Sequence, residues 1–202
     1  MKDFKFAFDK LVKKISNKDN FAFTRFSDGE LFILQNKTVV LADNHYITGD
    51  VTGPNRYTKE EHKEFYPEQH QIYQQKLVET FKHNQENYYK GICTSTDGHV
   101  GKQNFDWMID FHGGDHPNLT FANLLINANY SRFVEEMIPM FMEREIIYVV
   151  NELADTSKLP FEISKKFEIG SNCMIDNYDT SEKVRDYIET NNIKDAIVLC
   201  SA

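Results

Sequence analysis

The sequence predicts an α/β fold in which a mainly parallel sheet is flanked by helices. Two short runs of β-branched and apolar residues, at 145–150 and 196–200, are typical of strands that are covered on both faces, as in a parallel sheet. Strands alternate with predicted helices of about ten residues along the chain. The length of 202 residues fits one domain spanning 1–202.

The N-terminal part of the chain is predicted to form a helix, a strand and a second helix. Apolar residues recur at helical spacing over about 3–16, with lysines between them. The segment 21–26 is rich in Phe and is predicted to be a strand. The polar residues 27–30 lead into the apolar run 31–34, which predicts a strand-turn-helix junction.

The middle of the chain is predicted to begin with a long irregular segment. Turn-forming dipeptides across 39–57 indicate this excursion, with one short strand at about 38–41. Thr58 and Glu61 form a capping-box pattern. Later elements are expected as a helix opened by Pro67 that carries Ile72, Tyr73, Leu77 and Phe81, a strand near 88–94, a short helix near 105–111 and a helix near 131–142.

The C-terminal part is predicted to add a helix and a last buried strand. Asp179 and Glu182 form a capping box that opens a helix carrying Val184. The sequence stops at Ala202, directly after the strand at 196–200, where an α/β fold would place a loop and usually another helix. We therefore expect the fold to be truncated at the C-terminus.

Composition excludes several classes of function. The 31 acidic residues outnumber the 23 basic ones, and this net charge of −8 argues against a nucleic-acid partner. The longest apolar run, 146–150, is far shorter than the roughly 18 residues of a membrane span, and no signal peptide is evident. Three widely spaced cysteines predict neither a disulfide framework nor a thiolate zinc site. We expect a cytoplasmic protein without a membrane span.

The junction after the first predicted strand carries the residues most suited to chemistry. Asp28 and Glu30 are two positions apart with Gly29 between them, at the carboxyl end of a strand, where α/β sheets bind ligands. A hard cation such as Mn²⁺ or Mg²⁺ commonly shares one or two carboxylates with substrate phosphates. Arg25 adds a planar cationic donor for the same anion. The pattern is suited to holding a metal against a diphosphate.

A helix start explains the same residues without a metal. Ser27 and Glu30 form a capping box, in which the glutamate reaches back to the residue that caps the helix. Residues two apart do not face one side of a helix, so Asp28 and Glu30 converge on one ion only if the turn is non-helical, which Gly29 permits. From spacing alone, both interpretations stay open.

The residues Thr-Arg-Phe-Ser-Asp-Gly-Glu-Leu at 24–31 resemble the R-x-G-D-G-E signature of the GT-D glycosyltransferase family, with Ser27 in place of a glycine. Three other blocks resemble strands of that family: 145–151, a later short strand at 172–178, and 197–202. The resemblance covers most of the chain, and 24–31 is its specific part.

This resemblance implies a Rossmann-like glycosyltransferase domain that uses a nucleotide-diphosphate sugar, with UDP as the expected nucleotide, and Mn²⁺ or Mg²⁺ as cofactor. Asp28 and Glu30 would be the metal-associated, catalytic carboxylates. The metal would neutralise charge on the departing diphosphate while a hydroxyl of a glycan or glycoconjugate acceptor attacks the anomeric carbon. Within the motif, Thr24, Arg25 and Ser27 are assigned to substrate binding.

Further candidates lie outside the motif. Asp97, with Gly98 and His99, follows a predicted strand and is either a general base or part of a turn. Asn129 lies in an otherwise apolar segment, where a buried amide needs a partner from the backbone or a ligand. Asn151 and Glu152 lie just past a predicted strand, at the ligand-binding edge of a parallel sheet, and are assigned to substrate binding.

Two other functions remain open. The chain could be a non-catalytic nucleotide-sugar-binding module of a larger polysaccharide assembly. It could also be a metal hydrolase, because His112, Asp115 and His116 lie close together in the sequence and are ligand types that zinc accepts. A glycine-rich polar loop that contains histidines by chance explains the same segment.

Overall fold

The described residues form a mixed α/β fold, in which the strands make up three sheets. A computed structural model describes residues 3–55, 62–96 and 100–201. The helices are α1 (Phe4–Ser16), α2 (Asp28–Leu34), α3 (Gln71–Lys82), α4 (Gly101–His112), α5 (Tyr130–Arg132), α6 (Ile138–Met142), α7 (Cys173–Asp176) and α8 (Thr180–Thr190), with π-helical turns at Leu124–Ala128 and Phe133–Met137 and a 3₁₀ turn at Thr156–Lys158. The strands are β1 (Ala22–Phe26), β2 (Val39–Leu41), β3 (Tyr46–Thr48), β4 (Val51–Gly53), β5 (Lys63–Phe65), β6 (Tyr88–Ile92), β7 (Leu119–Phe121), β8 (Ile146–Asn151), β9 (Lys165–Ile169) and β10 (Ile197–Ser201).

The first parallel sheet has the strand order β1-β6-β7. Arg25 lies opposite Gly91, which lies opposite Thr120 on the next strand. One face packs against α1, where the buried Phe8 and Leu11 belong to the same cluster as Tyr89. The other face is covered by α3 and α4, in a cluster that contains Phe26, Phe81, Ile92 and Met108. Helices therefore cover both faces, as a parallel sheet requires.

The second parallel sheet has the order β10-β8-β9. Its central strand β8 is buried on both faces, because Ile146 joins the α1 cluster while Ile147 packs in a cluster with Val184 of α8. The prediction that β10 is likewise covered on both faces is wrong, since 41% of Val198 is exposed and Cys200 is also exposed. The reason is position, because within the described ranges β10 pairs with β8 alone.

The irregular excursion expected across 39–57 is instead largely an antiparallel sheet of order β4-β3-β2-β5. The predicted turn residues connect its strands: Asp43 and Asn44 lie between β2 and β3, and Gly49, with φ +64°, lies between β3 and β4. Strands of three residues are too short for alternation to reveal them. The capping box predicted at Thr58 and Glu61 lies outside the described residues.

Two further expectations differ from the structure. The segment 172–178, expected as a short strand from the family resemblance, contains helix α7, and the strand beside β8 is the earlier β9. A side chain explains the local geometry, because Asn177 Oδ1 accepts a hydrogen bond from Gly170 N at 2.8 Å and holds the chain in a turn after β9. The parallel strands also lie in two sheets and not in one.

The core is continuous between the two parallel sheets. One buried cluster contains Phe8 of α1, Tyr89 of β6, Ile146 of β8 and Leu124, which lies in the π-helical turn Leu124–Ala128. Partly buried side chains of β10, Ile197 and Leu199, pack against the same cluster.

Among the helices that the structure describes, none is long and apolar enough to cross a membrane.

Candidate functional site

The junction between β1 and α2 places the predicted motif at the carboxyl edge of the first parallel sheet. Phe26 ends β1, and α2 begins at Asp28 with Ser27 as its N-cap residue. Phe26 and Leu31 are fully buried beneath the junction, whereas Asp28 is exposed. Packing of the apolar side chains thus fixes the backbone, and the carboxylate of Asp28 faces water.

The first turn of α2 is helical and uses Glu30 as a cap. Glu30 Oε2 accepts a hydrogen bond from Ser27 N at 2.7 Å, and Asp28 Oδ1 accepts one from Gly29 N at 3.1 Å. Asp28 and Glu30 are therefore separated by about 200° around the helix axis and do not share a face. The non-helical turn that would let both carboxylates bind one ion is not the conformation seen.

Arg25 is held at the same sheet edge by a backbone contact. Its Nε donates to Ala122 O at 2.8 Å, just after β7. The chain after β7 passes close over β6, because a Cβ added at Gly91 would lie 2.8 Å from Phe121 O. The side chain is exposed, so the rest of its guanidinium can meet an anion near Asp28.

A second polar group lies at the carboxyl edge of the other parallel sheet. Asn151 Oδ1 accepts from Leu153 N at 2.9 Å, and Asn151 Nδ2 lies 3.5 Å from Ser171 Oγ. Glu152 N donates to Ile169 O at 2.9 Å. The structure thus places Asn151 and Glu152 at the carboxyl end of β8, in contact with the end of β9 and the loop that follows it.

The start of α7 connects this edge to the start of α2. Burial raises the pKa of the Cys173 thiol, while the charge of Lys63 lowers it and that of Glu30 raises it, so both charged groups are near the thiol. Asn172 Oδ1 accepts a hydrogen bond from Glu64 N of β5 at 3.0 Å. Sequence reasoning missed Lys63, Asn172 and Cys173, because nothing local signals that β5 packs beside α7.

Two predicted site residues are not brought to these edges, and a third lies outside the described part of the chain. Thr24 lies inside β1, opposite the buried Lys90. Asn129 is 8% exposed, and its Nδ2 donates to Leu124 O at 3.0 Å and to Phe4 O at 3.4 Å, which is the backbone role left open for it. Asp97, like His99, lies outside the described residues.

The rival histidine cluster has a structural role for one of its members. His112 Nε2 lies 2.7 Å from Lys90 Nζ, and His112 Nδ1 lies 3.3 Å from Gly114 O. Both ring nitrogens are therefore engaged, the first as acceptor from the lysine and the second as donor. His116 Nδ1 accepts a hydrogen bond from Asn118 N at 3.2 Å. These contacts do not favour a metal site built on His112.

Asp28 and Glu30 are the carboxylates that the motif offers to a metal. No group of three or more His, Cys, Asp or Glu side chains that could hold an ion is found in the part of the chain that the structure describes. A carboxylate-poor site suits Mg²⁺ or Mn²⁺ bound jointly with phosphate oxygens, since such ions keep waters and take few protein ligands. Asp28 fits this chemistry directly. Glu30 is used by the cap through Oε2 and lies on another side of the helix, so in this conformation it does not share an ion with Asp28.

Comparisons with known proteins identify no relative. No protein-family model matches the chain, and neither a curated protein nor a solved structure matches it.

Proposed function

We propose that this protein is a metal-dependent glycosyltransferase, which moves a sugar from a nucleotide-diphosphate donor, with UDP as the nucleotide, to a hydroxyl of a glycan or glycoconjugate. The observation that carries the proposal is the exposed Asp28 at the start of α2, which follows the exposed Arg25 of β1 at the carboxyl edge of a parallel sheet. This is where α/β folds bind ligands. The motif at 24–31 also resembles the GT-D signature, and a Rossmann-like arrangement of the domain is part of the proposal.

Three residues of the motif have separate roles in this proposal. Asp28 would bind Mn²⁺ or Mg²⁺, and the ion would neutralise charge on the leaving diphosphate. Glu30 would hold the helix start through Oε2, and it would join Asp28 on the ion only in a non-helical first turn of α2. Arg25 would donate to a phosphate oxygen with its terminal nitrogens, since its Nε is used by Ala122 O. Asp97 remains the proposed base for the acceptor hydroxyl.

A non-catalytic nucleotide-sugar-binding module is the second candidate. It is favoured by the helical first turn of α2, in which Glu30 serves as a cap and does not share a face with Asp28. Such a site could hold a metal-bound diphosphate weakly without assisting its departure. Binding and turnover must therefore be measured separately.

The decisive experiment measures binding of UDP with and without Mn²⁺ by calorimetry. Asp28→Asn and Glu30→Gln should each weaken Mn²⁺-dependent binding tenfold or more, on the order of 1.4 kcal/mol, because amide oxygens are poorer ligands for a hard cation. Glu30→Gln keeps an oxygen for the cap, so its thermal midpoint without ligand should change little. Arg25→Lys should give a smaller defect. Asp186→Asn, an exposed change on α8, is the matched control.

The outcomes separate the candidates. Mn²⁺-dependent release of UDP from a UDP-sugar supports the enzyme, whereas UDP binding without transfer or hydrolysis of any donor in a panel supports the module. If both carboxylate variants bind UDP and Mn²⁺ as the unchanged protein does, the motif is only a helix start. Absence of any nucleotide-sugar binding would remove both candidates.

A further inference from the structure

A cavity of about 400 Å³ lies between α1 and the strands β6 and β7. It is at the amino-terminal side of the first sheet, because its lining includes Leu119, the first residue of β7, and Pro117 just before it. Asp28 and Arg25 lie at the opposite, carboxyl edge. The volume is within the range of about 300–1,000 Å³ that small-molecule sites occupy. The cavity is therefore separate from the candidate site at Asp28 and Arg25.

Three polar side chains of the lining are available to a ligand. Lys10 Nζ lies 4.5 Å from the ring centroid of Tyr89, and in the described ranges it has no ion pair. His116 Nδ1 accepts from Asn118 N at 3.2 Å, so the ring proton of the neutral imidazole is on Nε2. Thr120 is only 6% exposed, and its buried Oγ1 has no hydrogen-bond partner among the described residues.

The Thr120 hydroxyl is an unusual feature of a folded interior. A buried polar group without a partner is destabilising, and native structures contain few of them. Thr120 is opposite Gly91, and so lies on the same sheet face as Tyr89 and the α1 helix. Because Oγ1 has no bond to give up, rotation about χ1 can turn it towards a ligand in the cavity.

The rest of the cavity lining indicates what the non-polar part of a ligand would contact. Phe6, Leu11 and Tyr89 provide apolar and aromatic surface. Asp115 also lines the cavity, but it already has an interaction partner. The polar groups that the lining offers thus include two donors, Lys10 and His116, and the hydroxyl of Thr120. A ligand that matches this lining has a head group rich in hydrogen-bond acceptors and an apolar body.

We propose that this cavity binds a small organic monocarboxylate with an aromatic or aliphatic body. The carboxylate accepts hydrogen bonds from Lys10 Nζ, His116 Nε2 and the turned Thr120 hydroxyl, and the body packs on Phe6 and Tyr89. Hydrogen bonds to a charged head in a partly desolvated site are the stronger kind, so the charge of the ligand decides binding.

The test compares phenylacetate with its uncharged analogue phenylacetamide, using the intact chain and calorimetry at neutral pH. Phenylacetate should bind saturably, and the amide at least about tenfold more weakly, because it loses one charge-assisted hydrogen bond. Amide chemical-shift changes in the NMR spectrum should fall on α1 and on residues 115–120. No saturable binding of phenylacetate, or equal binding of the two probes, overturns the proposal.

Variants place the binding in the cavity. Lys10→Met and Thr120→Val should each lower the affinity for phenylacetate about tenfold, while Lys13→Met, an exposed change on the same helix, should leave it unaltered. Thr120→Val retains the shape and removes an unpartnered hydroxyl, so its thermal midpoint should not fall. If Lys10→Met binds phenylacetate as the unchanged protein does, the proposal is wrong. UDP binding is measured in parallel and should be unchanged in all three variants.

Discussion

At the residue scale, the buried Lys90 organises one side of the first sheet. None of its surface is exposed, and its Nζ donates to Phe81 O at 2.9 Å and to His83 O at 2.6 Å, which are carbonyls at the end of α3. Its other partners are Asn84 Oδ1 and His112 Nε2. Burial lowers the pKa of Lys90 to about 8. The ammonium group of Lys90, on strand β6, therefore caps the C-terminal end of helix α3.

This contact predicts a loss of stability in acid. Burial, and secondarily the charge of Lys90, lowers the pKa of His112 below its usual 6.5. As the pH falls below about 6.5, the unfolded chain takes up this proton before the folded chain does, so the free energy of unfolding should fall, by at most about 1.4 kcal/mol per pH unit from this group. His116 also faces this ring and lowers its pKa further.

Denaturant unfolding of His112→Gln checks this prediction. Glutamine supplies an oxygen acceptor for Lys90 but takes up no proton, so the variant should lose less stability than the unchanged protein between neutral pH and about pH 5. His45→Gln, outside this network, serves as the control and should follow the unchanged protein. If the stability of all three proteins changes with pH in the same way, His112 takes up its proton equally readily in the folded and the unfolded chain, and the prediction is wrong.

At the scale of elements, the crossing of β6 by the chain after β7 depends on Gly91. A Cβ there would lie 2.8 Å from Phe121 O and 3.0 Å from Ala122 Cα, and both are backbone atoms that cannot rotate away. Gly91→Ala should therefore destabilise the protein by about 1–3 kcal/mol, as overpacking does. The shift would also move Ala122 O, the acceptor for Arg25 Nε.

A glycine in the candidate motif provides the matched control. A Cβ added at Gly29 meets no atom within 4 Å, and the residue lies in the first turn of α2. Gly29→Ala should leave the stability unchanged or raise it by up to about 1 kcal/mol, since alanine loses less backbone entropy in a helix. Thermal unfolding of the two variants should move in opposite directions or differ clearly. If Gly91→Ala and Gly29→Ala are equally stable, the backbone around Gly91 accommodates a Cβ and the prediction is wrong.

At the scale of the whole molecule, the α1 cluster joins both parallel sheets. Phe8 is fully buried in the cluster that contains Tyr89 of the first sheet and Ile146 of the second. Phe8→Ala should therefore cost about 3–5 kcal/mol and lower the thermal midpoint by roughly 10 °C or more. Because the cluster is shared, the variant should still unfold in one transition.

Circular dichroism at far- and near-ultraviolet wavelengths checks that cooperativity, since coincident curves indicate two-state unfolding. Ile72→Ala, at a side chain that is 63% exposed on α3, should change the midpoint little. Two separated transitions in Phe8→Ala would mean that the sheets fold independently, and that the shared cluster does not couple them.

The sequence alone predicts the elements that have strong local signals. The apolar spacing of α1, the β-branched run of β8 and the capping box at the start of α2 are all present in the structure. Each signal arises from neighbouring residues, through helical periodicity, burial of a short apolar run or a side chain that bonds a nearby backbone group. The α/β class follows from the same local patterns.

Only the tertiary structure decided how these elements combine. The division of the parallel strands into two sheets, the pairing of β5 with β2 and the exposure of β10 depend on contacts between distant residues. The same is true of Lys90, which is buried because backbone carbonyls at the end of α3 receive its charge. It is also true of Cys173, whose thiol pKa is affected by the charges of Lys63 and Glu30 from much earlier in the chain. The sequence pattern shows which secondary structure and degree of burial a residue favours. Its contact partners depend on how the whole chain packs.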